Sequence, residues 1–236
     1  MSATLMGFNW LTWAIPTPND RILVAVIQPE LQTRKKINAN WHLRYYKMVD
    51  ILRQHIISRL GSEINNLDTV IQCFKSLNIG RNEYLVRDGE VCRNVYFIAK
   101  GCLQVFVYDH AMNETTRDIV TEGGWCSELI SFGTGKPATE NIRTVEPCEL
   151  LAIDRQGFQK MMETVPQFDK VYKQILETSY ANSVYRINTF VALSALDRIK
   201  WVMEYRPNLM NRVSSKLIAS YLGINKDVFS RQNARL

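Results

Sequence analysis

Histidine and cysteine are scarce in these 236 residues, and their spacing excludes several chemistries. The three histidines are His42, His55 and His110, and the five cysteines are Cys73, Cys92, Cys102, Cys126 and Cys148. No two cysteines form a Cys-x-x-Cys pair, and no run of them could hold a metal ion or an iron-sulfur cluster, so reduced, mostly buried thiols are the simpler reading. One histidine in the strand-rich middle of the chain is too few for a metal-dependent enzyme of the cupin kind, which needs clustered His and carboxylate ligands. A long apolar run is missing as well. Met1 to Ile15 is apolar but has no basic flank, and Pro16, Pro18, Asn19 and Asp20 end it well short of the roughly 20 residues a membrane span requires. The expected location is therefore cytoplasmic, with no membrane partner, no cofactor and no metal site.

What is present is an ordinary folding composition. Hydrophobic residues make up 46% and charged residues 22%, which excludes general disorder. The length allows one large domain or two modest ones. Lys and Arg total 29 against 23 Asp and Glu, a net charge of +6 that favours a polyanionic partner without identifying one.

Residues 1–47 fit nothing that follows. They contain Trp10, Trp13 and Trp41, a strand-like run from Ile22 to Ile27, and the basic cluster Arg34, Lys35 and Lys36, which reads either as an arm touching DNA or as a solvated segment. The change of character at Met48 leads to the expectation that translation begins there. From Val49 to Phe74 apolar residues recur at helical spacing, with Gly61 and Ser62 interrupting, so two short helices are expected. The period then becomes two: Tyr84 and Val86, Val95 and Phe97, then Leu103, Val105 and Val107. Turn residues separate these runs at Asp88-Gly89, Lys100-Gly101 and Met112-Asn113, which predicts an antiparallel roll or sandwich. Gly123, Gly124, Gly133, Gly135 and Pro137 mark a loop-rich insert around a short apolar helix, a natural ligand site, before Ile142 to Ile153 resumes strand character.

From Pro166 the chain lacks Gly and Pro until Pro207 and reads as helix. Leu176, Tyr180, Val184, Ile187 and Val191 recur at intervals of four, four, three and four, one continuous apolar seam. That seam covers either its own roll or a two-fold mate. The last segment, RVSSKLIASYLGINKDVFSRQNARL from Arg212, has helix-turn-helix spacing: Leu217, Ile218 and Leu222 form an apolar face, Ala219 admits a second helix, Gly223 permits a left-handed turn and Asn225 can cap the next helix. An ordinary helical hairpin shares that logic. Val228 and Phe229 point inward, leaving Lys226, Asp227, Ser230 and Arg231 as readers of base edges, with Ser215, Lys216 and Arg235 placed for phosphates. This tail holds five basic residues against the single acidic Asp227.

Four stretches together carry a resemblance: EYLVRDGEVCRNVYFIAKGCLQVFV (Glu83 to Val107), GGWCSELISF (Gly123 to Phe132), PATENIRTVEPCELLAID (Pro137 to Asp154) and KLIASYLGINKDVFSR (Lys216 to Arg231). Through them residues 48–236 resemble the Crp/Fnr family of regulators, most closely the branch common in Bacteroidetes. The resemblance implies an α+β fold: a cyclic-nucleotide-binding-like β-roll (jelly roll) over 48–165, a long dimerisation helix over 166–193, and a helix-turn-helix DNA-binding domain over 194–236, preceded by an N-terminal extension (1–47) of no assigned role. It implies a dimeric, sequence-specific DNA-binding transcription regulator and not an enzyme. Double-stranded DNA and a second copy of the chain are its expected partners, with RNA polymerase and an unidentified small-molecule effector beside them. The other reading is a cyclic-nucleotide-binding signalling module that works through protein contacts, its helix-turn-helix decayed. Gln232, at a recognition-helix position normally apolar, supports it.

The resemblance also places a degenerate effector pocket. In relatives that bind cAMP, a Gly-Glu-Leu stretch and an Arg followed by Ser or Thr hold the ribose and the cyclic phosphate. Here Glu128 and Leu129 match, Ser127 replaces the glycine, and Ala138 followed by Thr139 occupies the arginine position. A phosphate without its bidentate cation loses a contact of roughly 1.5–3 kcal/mol, about tenfold to a hundredfold in affinity. Lys136 and the free N–H groups of a helix start near Ser127 are the remaining substitutes.

Overall fold

The structure is a computed structural model that describes residues 28–60 and 66–234, with side chains described from residue 43 onward. The chain divides into two units, Met1–Arg44 and Tyr45–Leu236. Helix α1 (Gln28–Leu60) runs unbroken through Met48, so the change of sequence character there is not a break in secondary structure. The strand-like run Ile22 to Ile27 and the side chains of Arg34, Lys35 and Lys36 lie outside the described residues.

The short helix α2 (Leu67–Ile71) leads into eight strands: β1 (Lys75–Ile79), β2 (Tyr84–Val86), β3 (Asn94–Lys100), β4 (Leu103–Tyr108), β5 (Glu114–Val120), β6 (Trp125–Cys126), β7 (Asn141–Thr144) and β8 (Cys148–Asp154). They form two antiparallel sheets, in the orders β1-β8-β3-β6 and β2-β7-β4-β5. Expected turns fall where the chain reverses. Gly101, at φ 113°, joins β3 to β4, and a Cβ there would meet the Cys148 backbone at 2.9 Å. Between β4 and β5 the Asp109 carboxylate accepts the N–H groups of Ala111 and Asn113, both at 2.8 Å, and so substitutes for backbone partners in the turn.

Strands β3 and β8 are buried along nearly their whole length, not on alternate residues. One face of their sheet meets the other sheet, and Leu52 and Ile56 of α1 belong to the same core as Phe97, Ile98, Leu150 and Leu151. That explains the continuous apolar runs at these positions. On this side His55 lies edge-on to Phe97, ring centroids 5.0 Å apart, and Trp125 donates its indole N–H to His55 Nε2 at 2.8 Å.

The insert forms α3 (Leu129–Thr134), as expected, and α4 (Arg155–Thr164), which periodicity missed, follows β8 with Asp154 as its cap. The long helix α5 (Phe168–Ala192) stops earlier than the Gly/Pro-free stretch suggested: Leu193 is extended and the Ser194 hydroxyl caps α6 (Ala195–Tyr205), so a side-chain cap breaks the helix without glycine or proline. Pro207 then opens α7 (Pro207–Arg212), and α8 (Ser215–Leu222) and α9 (Lys226–Asn233) complete the described chain. The five cysteines are free thiols, four of them buried, and burial pushes the Cys148 thiol up to about 11.

Burial first, and then the nearby Arg59 charge, hold His55 neutral down to about 4 against its ordinary 6.5. Between those values the unfolded chain binds a proton that the folded chain refuses, so this contribution is full above about 6.5 and lost as pH falls toward about 4. The urea midpoint is expected to fall over that window. In His55→Gln that part of the slope should vanish; a variant with the wild-type slope contradicts the assignment.

Candidate functional site

Helices α8 and α9 form the corner that the sequence indicated. The Ser214 hydroxyl accepts the Leu217 N–H, and Gly223, at φ 62°, ends α8 where a Cβ would lie 2.5 Å from the Phe190 ring. Asn225 Oδ1 accepts the Asp227 N–H at 2.7 Å and starts α9. Ile218, Ala219, Leu222 and Phe229 are buried together. Lys226, Asp227, Ser230 and Arg231 are all exposed on α9, spaced so that they share one face, and Ser215 and Lys216 are exposed at the start of α8. Arg235 lies outside the described residues. Gln232 is half-buried on the inner side of α9, and its Oε1 is buried without a hydrogen-bond partner.

Arg212 departs from the sequence reading. Counted with the basic tail, it turns instead to the roll, where Nη1 and Nη2 grip Glu122 at 2.7 and 2.6 Å while Nε donates to Glu146 at 3.0 Å. Burial raises the Glu122 carboxyl, but the Arg212 hydrogen bonds and the Gly101 N–H more than offset it and hold the group at about 2. Cys102 and Ile119 of the roll share a core with Ile199, Val202 and Leu209 of α6 and α7.

The residues expected to line an effector pocket do not converge. The Ser127 hydroxyl donates to the Asn94 carbonyl at 3.1 Å, and the buried Glu128 carboxylate caps α3 by accepting the Ser131 N–H at 2.6 Å. Leu129, Lys136 and Thr139 are exposed. Ala138 is 2% exposed, with its N–H donated to the Glu90 carbonyl at 2.8 Å. A cavity of about 1290 Å³ includes none of the six. Its walls are β5 and the Gly123 to Trp125 turn on one side, α5 on another, and residues of α6 and α8 on the third. Four arginines line it, of which Arg59 lies 3.0 Å from His55 Nδ1. Arg117 pairs with Glu140, Arg206 donates to the Ile119 carbonyl at 2.6 Å and lies 3.9 Å from Asp118, and Arg186 donates to the Thr116 and Tyr221 carbonyls at 2.7 and 2.8 Å. Sequence reasoning missed this cavity because its walls come from segments up to about a hundred residues apart; the only local sign was Arg186 interrupting an apolar helix.

The apolar seam of α5, which reaches the cavity at Ile187, has no cover among the described residues. Tyr180 is 72%, Ile187 60% and Val191 82% exposed, whereas Phe168, Val171 and Ile175 of the same helix pack into the roll. Among the described residues no helix is long and apolar enough to cross a membrane, and no group of His, Cys, Asp and Glu could hold a metal ion.

Residues 77–165 match the family model described as a cyclic nucleotide-binding domain. The cAMP-activated global transcriptional regulator CRP of Salmonella typhimurium is 26% identical over 82 residues, 35% of this chain and 39% of that relative. The protein of the same description from Pasteurella multocida is 23% identical over 115 residues, 49% of this chain and 55% of the relative. The chain thus matches only about two fifths to just over half the length of these relatives. Among solved structures, the c-di-GMP-responsive global regulator CLP of Xanthomonas campestris is similar at a TM-score of 0.59 and 17% identity, over 71% of this chain and 90% of that one. FixK2 from Bradyrhizobium japonicum is similar at 0.60 and 13%, over 69% and 84%. Likeness at these identities shows a shared fold.

Removing the Arg212 clamp is expected to loosen α8 from the roll. In Arg212→Ala, amide exchange over Leu217 to Leu222 should quicken by roughly threefold to tenfold, the size of a half-exposed ion-pair network of about 1 kcal/mol. Arg212→Lys, which keeps the charge without the fork, should fall between; unchanged exchange in both variants contradicts a holding role.

Proposed function

We propose that the chain is a Crp/Fnr-family member, a dimeric, sequence-specific DNA-binding transcription regulator whose roll senses a small molecule other than cAMP. The observation that carries the reading is α9: a capped second helix of a helix-turn-helix whose Lys226, Asp227, Ser230 and Arg231 share one exposed face. Arg231 can pair bidentately with guanine and Asp227 can accept from cytosine, while Ser215 and Lys216, and Arg235 beyond the described residues, suit phosphates. Two copies joined along α5 would present two such helices to half-sites about 34 Å apart, and the exposed seam is the surface for that pairing. The buried alanine at 138 supports a roll without cAMP affinity, because it puts no cation where the resemblance places the phosphate-binding arginine. No catalytic step is assigned; the protein works through its contacts with DNA, its own copy and, at a promoter, RNA polymerase.

The proposed domains are a roll over 48–165, the long helix over 166–193 and the DNA-binding domain over 194–236, with residues 1–47 without an assigned role. Arg212 and its two carboxylates tie the DNA-binding end to the roll, so an effector that strains this contact would alter how the recognition helices are presented. The second reading, a signalling module with a decayed helix-turn-helix, has one observation in its favour, the unpaired buried amide oxygen of Gln232 on α9.

Duplexes selected from a random pool, followed by fluorescence anisotropy at several salt concentrations, separate the two readings. A regulator should enrich a two-fold-symmetric motif and show a steep salt dependence. Arg231→Ala should cost about 1–3 kcal/mol and relax specificity at one position, whereas Lys216→Ala should weaken all sequences alike and reduce the salt slope by about 1. Failure to enrich any motif favours the signalling module. Independently, Ile187→Asp should convert a dimer to a monomer in sedimentation equilibrium with its melting temperature retained, and a dimer that survives it removes the seam from the interface.

A further inference from the structure

We propose that the cavity between β5, α5 and the C-terminal helices binds a small aromatic oxyanion through Arg186, and that this is the effector site of the protein. The inference rests on the reading of the roll as a sensor and names the ligand's chemistry. Its volume of about 1290 Å³ is ample for a drug-sized molecule, since such sites usually fall at roughly 300–1,000 Å³.

Arg186 supplies the anion's partner. Arg117, Arg206 and the clamp's Arg212 each have a carboxylate, Glu140, Asp118, and Glu122 with Glu146, while Arg59 at the edge of the same walls turns to the His55 ring and carbonyl. Arg186 has none among the described residues; Nη2 alone serves two backbone carbonyls, and Nε is buried with no partner. Burial holds its pKa below the ordinary arginine value, with the Tyr221 and Asp118 charges opposing. A half-buried guanidinium with an idle buried donor and no carboxylate within ion-pair distance is an unfinished ion pair, and an oxyanion completes it.

The aromatic half of the ligand follows from the far wall. Trp201 and Tyr205 are stacked at 6.0 Å, and Tyr185 lies 5.7 Å from Trp201 and accepts its indole N–H. All three line the cavity, yet Tyr185 is 48% and Tyr205 61% exposed, so large rings stand in open space where a planar ligand would cover them. The site also has a route to DNA. The two carbonyls held by Arg186 belong to β5 and to α8, so an anion drawing on the same guanidinium bears on the joint between roll and DNA-binding helices.

Anilinonaphthalenesulfonate, an aromatic sulfonate, and its uncharged analogue N-phenylnaphthylamine probe the site without DNA, so the outcome is independent of whether the protein regulates transcription. Trp125 and Trp201 line the cavity, and energy transfer from tryptophan reports binding there. The expected result is one saturable sulfonate site per chain, about tenfold tighter than for the uncharged analogue and weakened about tenfold by Arg186→Gln, which should leave the analogue unaffected. Asn182→Trp, which fills the cavity from the exposed side of α5, should abolish the site with the melting temperature retained and decides the matter should Arg186→Gln fail to fold. Equal affinity for both probes, or sulfonate binding to Asn182→Trp as to wild type, overturns the proposal.

Discussion

Strand β5 closes its sheet, and its outer edge carries backbone groups that no further strand satisfies. Side chains of the C-terminal half satisfy them. The Ser220 hydroxyl accepts the Thr116 N–H at 2.9 Å and donates to the Glu114 carbonyl at 2.8 Å, Arg186 donates to the Thr116 carbonyl, and Arg206 donates to the Ile119 carbonyl. An edge that would otherwise invite another chain is therefore occupied by α5, α8 and the start of α7. The position of α8 and α9, the clamp at Arg212 and the cavity all depend on this exchange of backbone partners for side chains.

The same edge accounts for how the positive charge is used. Basic residues near the C-terminus looked alike in the sequence, but they divide between two tasks. Arg186, Arg206 and Arg212 reach inward to carbonyls and carboxylates of the roll, whereas Lys216, Lys226 and Arg231 face outward. Arginine suits the inward role because its fixed fork can serve several acceptors at once.

Helix α5 joins these parts by presenting different faces to different neighbours. Phe168, Val171 and Ile175 anchor its first turns in the roll, Arg186 and Phe190 meet β5 and the Gly223 turn, and Tyr180, Ile187 and Val191 remain open to a second copy. A rotation or shift of one helix would therefore change three contacts together. Such sharing lets an event in the roll bear on the C-terminal helices without a dedicated moving part.

Much of this was legible in the sequence because it is local. Alternating apolar residues with Gly101 and Asp109 at the turns specify hairpins, and Ala219, Gly223, Asn225 and Phe229 specify a helix-turn-helix, since caps and left-handed turns need particular residues within a few positions. The family resemblance rested on the same short motifs. Tertiary structure decided what depends on distant neighbours: that Glu128 is a helix cap, that Ala138 is sealed in the roll, that Ser194 breaks a helix with no glycine or proline, and that Arg212 belongs to Glu122 and Glu146. The cavity belongs to this second class. Its walls meet only when β5 and the C-terminal helices are packed together, and periodicity along a chain reports which face of an element is apolar but not which other element, tens of residues away, will cover it.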